Sequence, residues 1–213
     1  MIAISTAFKT AQLAIELDGK QKLMEMDADC KVSENVLATL DTMLEELGVK
    51  IQDNHTYAVV VGPGSFTGLR IGIALVKGLC AAEENNKVIP LSSLALLAYS
   101  YIKQNKPKED FYVVLNALSG LYFICKFDKL GKALSEEKLI TAQQLEGLTE
   151  QKVGLKQEKL PFVGVEITPI DLLEFAKKQE KIENFVDFHT LAPVYLRRSQ
   201  AEVALDEKNV KKV

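Results

Sequence analysis

The chain is organised around the stretch Val60-Val61-Gly62-Pro63-Gly64-Ser65-Phe66-Thr67-Gly68-Leu69-Arg70-Ile71-Gly72. The run at residues 57–61, rich in valine, is typical of a buried parallel strand. The glycine-rich segment then leads into an apolar helix that is predicted to continue to about Glu84. The sequence therefore predicts a strand, a tight turn and a helix in direct succession.

The glycine-rich turn admits two interpretations. Backbone N–H groups at a helix N-terminus can bind phosphate, because the helix dipole favours negative charge there. However, the turn lacks the Gly-Lys-Ser/Thr ending of a P-loop, and Gly62, Gly64 and Gly68 form G-x-G-x-x-x-G, one residue longer than the dinucleotide fingerprint. The alternative is a structural turn in which Ser65 or Thr67 caps the helix. The residues alone leave both interpretations open.

The helix after the turn has two apolar sides. One stripe consists of Leu69, Ile73, Val76 and Cys80, and the other of Ile71, Leu75 and Leu79. Gly72 and Gly78 lie in the helix interior and each costs about 1 kcal/mol relative to alanine, so close packing must offset them. The helix is therefore predicted to lie between its own sheet and a second layer. That layer is either the amphipathic helix at residues 33–47 or another subunit.

The first half of the chain is predicted to begin with three strands and then to alternate helices and strands. Strands are expected at residues 1–5, 11–17, 21–26, 57–61 and 87–90, and helices at 33–47, 67–84 and 92–103. Asp18-Gly19 predicts a hairpin turn between the second and third strands. Ser33 is expected to cap the first helix and Gly48 to end it, and Ser92 or Ser93 is expected to cap the third.

The second half restarts the pattern. A hairpin is predicted from residues 111–116 and 121–127, with its turn at Ser119-Gly120. An edge strand near 132–139, a short helix from Thr141, an apolar run at 160–165 and a helix from Pro169 are expected to follow. Residues 146–159 are charged and weakly periodic, which predicts a loop. The restart predicts a duplicated α/β unit whose second half is poorer in helix.

Composition narrows the possible classes of protein. With 213 residues, 47% of them hydrophobic, the chain fits one domain or two small ones. A net charge of −3 argues against nucleic-acid binding by the chain alone. The three cysteines show no C-x-x-C spacing, and His55 and His189 are the only histidines, so neither a disulfide framework nor a metal site is indicated. We expect a cytoplasmic protein without a membrane segment.

The glycine-rich stretch and the following Lys77-Gly78-Leu79 closely resemble the signature of the TsaB (YeaZ) family of bacterial tRNA threonylcarbamoyladenosine biosynthesis proteins. Similarity extends to the opening Ile2-Ala3-Ile4-Ser5-Thr6, to Ser33-Glu34, and to Pro193-Val194-Tyr195-Leu196-Arg197 near the end. The resemblance covers nearly the whole chain and is sparse between Lys129 and His189.

This resemblance implies an α/β, actin-like (ASKHA) fold of two ribonuclease-H-like halves, with subdomains at residues 1–104 and 105–213. It further implies a non-catalytic scaffold that forms a heterodimer with TsaD, the transferase that modifies the adenosine beside the anticodon of ANN-decoding tRNAs. The ATPase TsaE joins that complex, tRNA is reached only through it, and a homodimer is the alternative for the chain alone. No cofactor is expected in the isolated chain, and any ATP or ADP is expected at the interface of the complex.

The resemblance also implies where the partner binds. The signature loop comprises Gly62, Pro63, Gly64, Ser65, Phe66, Thr67, Gly68 and Arg70. Partner contacts are expected on the two N-terminal helices, at Leu37, Leu40, Met43, Leu44, Gly68, Leu69, Arg70, Gly72, Ile73, Val76, Lys77 and Cys80. In this arrangement Val76 faces a partner helix, so that Val76→Glu is expected to leave folding nearly intact.

Three positions depart from the family pattern. Ser5 and Asn116 stand where Asp is usual, and Val32 stands where His is usual. Because phosphoryl transfer needs an acid to hold the metal, we expect no catalytic or metal-binding residues in the cleft. The alternative function is an independent actin-like ATPase or a peptidase-like enzyme. Against it, residues 64–68 do not form a G-x-S-x-G elbow, and no motif links a histidine to Ser65 or Thr67.

Overall fold

Two five-stranded sheets form the framework of the chain in the computed structural model, which describes residues 1–27, 31–82 and 85–196. The first sheet contains β1 (Ile2–Ser5), β2 (Ala11–Leu17), β3 (Lys20–Met26), β4 (Thr56–Gly62) and β5 (Lys87–Ser92). The second contains β6 (Phe111–Asn116), β7 (Leu121–Phe127), β8 (Lys138–Thr141), β9 (Gln151–Leu155) and β10 (Val163–Val165). The helices within these ranges are α1 (Val32–Leu47), α2 (Phe66–Cys80), α3 (Ser93–Asn105), α4 (Ala142–Glu146) and α5 (Pro169–Lys181).

The two sheets repeat one topology, which confirms the predicted duplication. The strand orders are β3-β2-β1-β4-β5 and β8-β7-β6-β9-β10. In both sheets the first strand pairs antiparallel with the second and parallel with the fourth, and the fifth runs parallel to the fourth. The crossovers differ, because α1 and α2 connect the first sheet's parallel strands, whereas the short α4 and the 3₁₀ turn Lys156–Glu158 connect those of the second. The second half is therefore poorer in helix, as expected.

Two hydrophobic cores cover opposite faces of the first sheet. Since side chains alternate along a strand, Leu13 and Ile15 of β2 pack toward α1 and α2, whereas Ala14 packs toward the second half. The core on that second side is continuous between the two halves, because α3 and α5 fill it together with residues such as Phe111 of β6. This shared core fixes the two sheets relative to each other. The predicted boundary at residue 104 falls in the last turn of α3 and stays a prediction.

Several local predictions are confirmed. Asp18 and Gly19 both have positive φ, 50° and 74°, as the tight hairpin turn between β2 and β3 requires. Gly48 ends α1 with φ 63°, a left-handed conformation that glycine adopts without steric cost. Ser65 and Ser92 cap α2 and α3, since their side chains accept hydrogen bonds from the backbone N–H groups of Gly68 and Ala95.

Other boundaries were predicted incorrectly. Lys31, not Ser33, occupies the N-cap of α1, because the helix begins at Val32 and places Ser33 in its first turn. The edge strand predicted near residues 132–139 lies at Lys138–Thr141 instead, and residues 128–132 form a turn in which the N–H groups of Leu130 and Lys132 donate to Asp128 Oδ1. The loop predicted at residues 146–159 is only partly correct, because residues 151–155 form β9 and residues 156–158 form the turn that follows it. α2 ends at Cys80, and its predicted end at Glu84 lies outside the described residues.

Candidate functional site

The glycine-rich loop after β4 is fastened to the end of β1. The backbone N–H of Ser65 donates a hydrogen bond to the carbonyl oxygen of Ala7 at 2.9 Å. A Cβ on Gly64 would lie 2.7 Å from that same oxygen, and one on Gly68 would overlap the carbonyl oxygen of Thr6. The Thr6 hydroxyl in turn donates to the carbonyl oxygen of Gly68 at 2.6 Å. The glycines are therefore needed because the loop lies directly against another backbone.

These contacts favour the structural interpretation of the loop over the anion site. An anion at a helix N-terminus is bound by backbone N–H groups that are left unpaired. Here the N–H of Ser65 is bonded to Ala7, and that of Gly68 donates to the Ser65 hydroxyl at 3.2 Å. Two of the amides that would hold a phosphate are thus already engaged within the chain.

A segment near the end of the described chain covers the other side of the loop. The N–H of Val194 donates to the carbonyl oxygen of Val61 at 2.8 Å, and a Cβ on Gly62 would lie 2.7 Å from the carbonyl oxygen of Val194. The Tyr195 ring stacks on Phe66 with centroids 4.8 Å apart. Arg70 Nε donates to the Tyr195 hydroxyl at 2.8 Å. Within residues 193–196, which resemble the family, Val194 and Tyr195 therefore contact the signature loop. Arg197, the last residue of that motif, lies outside the described residues.

The loop forms one wall of a cleft of about 990 Å³ between the two halves. Its lining is largely apolar and aromatic, with the rings of Phe8, Phe66, Phe123 and Tyr195 among it. Four of the apolar and aromatic lining residues are exposed: Phe66, Leu118, Val194 and Tyr195. The polar lining includes Lys9, Asn116 and Glu158.

The cleft departs from the acid pattern expected of an actin-like nucleotide site. Asn116 and Val32 line it, but Ser5 does not, because Ser5 is buried in the sheet. Glu158 is an acid in the cleft that the sequence did not indicate. Burial raises the pKa of Glu158, although a hydrogen bond from the N–H of Asn116 at 3.0 Å acts in the opposite direction. Within the described ranges, no group of three or more His, Cys, Asp or Glu residues is placed to hold a metal ion.

The two histidines and the two described cysteines are the other side chains that could take part in acid–base or nucleophilic chemistry. His55 and His189 are both exposed. Cys80 and Cys125 are buried free thiols, and burial raises the pKa of Cys80 to about 11, which disfavours the nucleophilic thiolate. Cys30 is outside the described residues. Each helix in the part of the chain that the structure describes falls short of the length and apolar character that a bilayer span requires.

The structure corrects the predicted partner-facing stripe of α2. Ile73, Val76 and Cys80 lie in the chain's own core, and Val76 is 0% exposed. Leu69 is also buried, in the core on the other side of the sheet. Gly72 likewise serves an internal contact, since a Cβ there would lie 2.6 Å from the hydroxyl oxygen of Thr6.

The same correction applies to α1. Leu40, Met43 and Leu44 are buried in the core that contains Val76, so α1 and that stripe of α2 pack on the same face of the first sheet. Leu37 is 49% exposed. Of the other predicted contact residues, Arg70 is exposed and Lys77 is half-buried, with its ammonium group donating to the carbonyl oxygen of His189.

The second apolar stripe of α2 is the one that faces outward. Ile71, Leu75 and Leu79 are each half-buried, and Ala74 and Gly78 between them are exposed. A Cβ on Gly78 would meet no atom within 4 Å among the described residues. Glycine in a helix interior lowers helix stability, and at this position no described residue makes use of the space that it leaves. We refer to Ile71, Ala74, Leu75, Gly78 and Leu79 as the outer face of α2.

Comparison with known proteins agrees with this architecture. A family model described as "TsaD: tRNA N6-adenosine threonylcarbamoyltransferase" matches residues 27–185. The tRNA threonylcarbamoyladenosine biosynthesis protein TsaB of Haemophilus influenzae is 24% identical over 123 residues, 58% of this chain and 52% of that protein. The protein of the same name from Escherichia coli is 30% identical over 105 residues, 49% of this chain and 45% of that protein. The matched region thus spans about half the length of these curated relatives.

Solved structures extend the likeness to nearly the whole chain. YeaZ from Pseudomonas aeruginosa superposes with a TM-score of 0.76 at 22% identity, covering 92% of this chain and 98% of that one. Two sheets of one topology with a cleft between them define an actin-like protein built from duplicated ribonuclease-H-like halves. The chain belongs to the family that the TsaD model describes, and the curated relatives that it resembles are TsaB proteins.

Proposed function

We propose that this chain acts in tRNA threonylcarbamoyladenosine biosynthesis as a non-catalytic subunit that binds and activates a TsaD-type transferase. The observation that carries the proposal is the outer face of α2, where half-buried apolar side chains flank the exposed Ala74 and Gly78, and where a Cβ on Gly78 would meet no described residue. In this proposal TsaD carries the chemistry, TsaE joins the assembly, and tRNA is bound only by the complex.

The chemistry of the cleft supports a non-catalytic role. Phosphoryl transfer needs metal ions held by acids close to the phosphates. The position at the end of β6 carries the neutral Asn116, and the buried Ser5 does not reach the cleft. Glu158 is a single acid whose pKa is raised by burial, so it is a weak candidate for holding a cation. These features favour a scaffold over an independent ATPase.

The surface of α2 supports binding to a partner helix. Small residues allow two helices to approach closely, and Ala74 and Gly78 lie one helical turn apart on the exposed side. The half-buried side chains of Ile71, Leu75 and Leu79 flank them and would lose their remaining contact with water on association. The exposed Leu37 of α1 is a further apolar contact for such a partner.

We expect Ala74→Glu to prevent association with the TsaD partner while leaving the monomer folded. Ala74 is exposed, so a carboxylate there remains hydrated in the free chain. In the complex it would be desolvated without a partner charge, which costs about 2–5 kcal/mol and weakens binding by about thirtyfold or more. The affinity is measured by isothermal titration calorimetry, and the fold by thermal melting.

Gln151→Glu is the matched control, since it adds the same charge at an exposed position of β9 in the second half. It should bind the partner as the parent chain does. If Ala74→Glu binds TsaD with unchanged affinity, the outer face of α2 is not the interface. The same variant also tests a homodimer, because self-association through this face would be lost together with the heterodimer.

A further inference from the structure

A second cavity, of about 450 Å³, lies where the edge of the first sheet meets the second half. β2 and β3 provide one wall, and the segment from β9 to the residues before α5 provides the other. The Thr10 hydroxyl lies 3.4 Å from Oε1 of Gln157 across it. We call this cavity the edge groove; neither the proposed function nor the outer face of α2 involves it.

Negative charge predominates in the edge groove. Glu25, Asp27 and Glu166 line it, and Lys156 is the one basic residue among its described lining. Lys156 is already paired with Glu166, with Nζ and Oε2 3.5 Å apart. Partial burial, and then the charges of Glu166 and Asp27, raise the pKa of Glu25. An excess of carboxylates that repel each other favours a cationic ligand.

A buried amide in the same groove has an unused acceptor. Gln12 lines the groove and is 2% exposed. Its Nε2 donates to the carbonyl oxygen of Ile167, another lining residue, which fixes the side chain in the wall and identifies Oε1 as the free atom. Among the described residues, that Oε1 accepts no hydrogen bond. A buried acceptor without a donor destabilises the fold, so a donor supplied by a ligand would be favoured there.

The sheet register places this amide next to the carboxylates. Gln12 of β2 lies directly opposite Glu25 of β3 and opposite Ser5 of β1. Directly opposed residues have Cβ atoms about 4.5–5.5 Å apart, so the three side chains form a polar row on one face of the sheet. This row leads from the buried Ser5 to the edge groove. The Ser5 hydroxyl also has no hydrogen-bond partner in the described part of the chain.

The lining also distinguishes between kinds of cation. The described residues contain no group of three or more His, Cys, Asp or Glu side chains placed to hold a metal ion. The apolar side chains of Phe8, Leu155 and Val165 form part of the wall, and they suit methylene groups rather than a hydrated ion. An ammonium group supplies donors for the carboxylates and for Oε1 of Gln12, and its alkyl chain can lie along the apolar wall.

We propose that the edge groove binds an alkylammonium compound, a diamine or polyamine, through Glu25, Asp27, Glu166 and the side-chain oxygen of Gln12. This proposal is independent of the role in tRNA modification.

Spermidine, added to the full chain, is the probe, with binding followed by ¹⁵N-¹H NMR. We expect shifts confined to residues 10–12, 25–27 and 156–167, including the side-chain amide of Gln12. Glu25→Gln should weaken binding by about fivefold, the value of one exposed ion pair. Lys156→Gln should tighten it by a similar factor, because it removes the competing ammonium group.

Asp41→Asn is the control, since it removes one negative charge at an exposed position of α1. It should leave spermidine binding within about twofold, because α1 packs on the other face of the first sheet from Gln12 and an exposed charge there is screened by salt. Three results would each overturn the proposal: no shifts at millimolar spermidine, equal weakening by Asp41→Asn and Glu25→Gln, or the same shifts with Mg²⁺ at equal concentration. Shifts produced equally by uncharged 1,4-butanediol would also exclude it.

Discussion

Val76→Glu should strongly destabilise the isolated chain. Val76 of α2 is fully buried in the core that the first sheet forms with α1 and α2, which also contains Leu40 and Met43. An uncompensated buried charge costs about 3–5 kcal/mol, a large part of the roughly 5–15 kcal/mol that stabilises a typical domain. For a chain of this length, we expect the melting temperature to fall by roughly 10 °C or more, as measured by circular dichroism.

Ala74→Glu provides the internal control for this prediction. It places the same side chain two residues earlier on the same helix, on the exposed side. Its melting temperature should stay within a few degrees of the parent. If Val76→Glu melted like the parent while Ala74→Glu unfolded, the orientation of α2 described above would be reversed, and the stripe first expected from the sequence would face outward.

Gly68→Ala should also destabilise the chain, although it adds only a methyl group. A Cβ at this position would overlap the carbonyl oxygen of Thr6, which is backbone and cannot rotate away. The start of α2 would have to move from β1, and the hydrogen bond from the Thr6 hydroxyl to the carbonyl oxygen of Gly68 would be strained. Overpacking of this kind costs about 1–3 kcal/mol, which corresponds to a fall of several degrees in melting temperature.

Gly78→Ala is the matched substitution in the same helix, and it should stabilise the chain instead of destabilising it. A Cβ there meets no described atom within 4 Å, so only helix propensity changes. Alanine is favoured over glycine in a helix interior by about 1 kcal/mol, so the melting temperature should rise. Equal effects of the two substitutions would show that Gly68 is not held against β1 as described.

Short-range patterns predicted much of the fold. The Asp18-Gly19 turn, the hairpin of β6 and β7 and the cap at Ser65 all depend on residues close together in sequence, and all are confirmed. β9 was missed because its sequence is charged at one end and contains Gly154. It becomes a strand because it pairs with β6, about forty residues earlier, and buries Val153 and Leu155.

The orientation of α2 was not readable from its sequence. Both stripes of the helix are apolar, so periodicity indicates two packed sides without showing which one faces the chain's own sheet. Which stripe faces the sheet is determined by contacts with the residue after β1. Thr6 lies beside Gly68 and Gly72, whereas Gly78 lies on the open side of the helix. Glu158 was missed for a similar reason, because the turn after β9 brings it to Asn116 in the cleft.

The measurement that tests the central proposal most directly is the amount of N6-threonylcarbamoyladenosine in total tRNA after depletion of this chain in its source organism. Nucleosides from digested tRNA are quantified by mass spectrometry, and the parent chain, Ala74→Glu or Gln151→Glu is then re-expressed. The account predicts that the modified nucleoside declines on depletion and that the parent and Gln151→Glu restore it, whereas Ala74→Glu does not. An unchanged level of the modified nucleoside after complete depletion would contradict the proposed function.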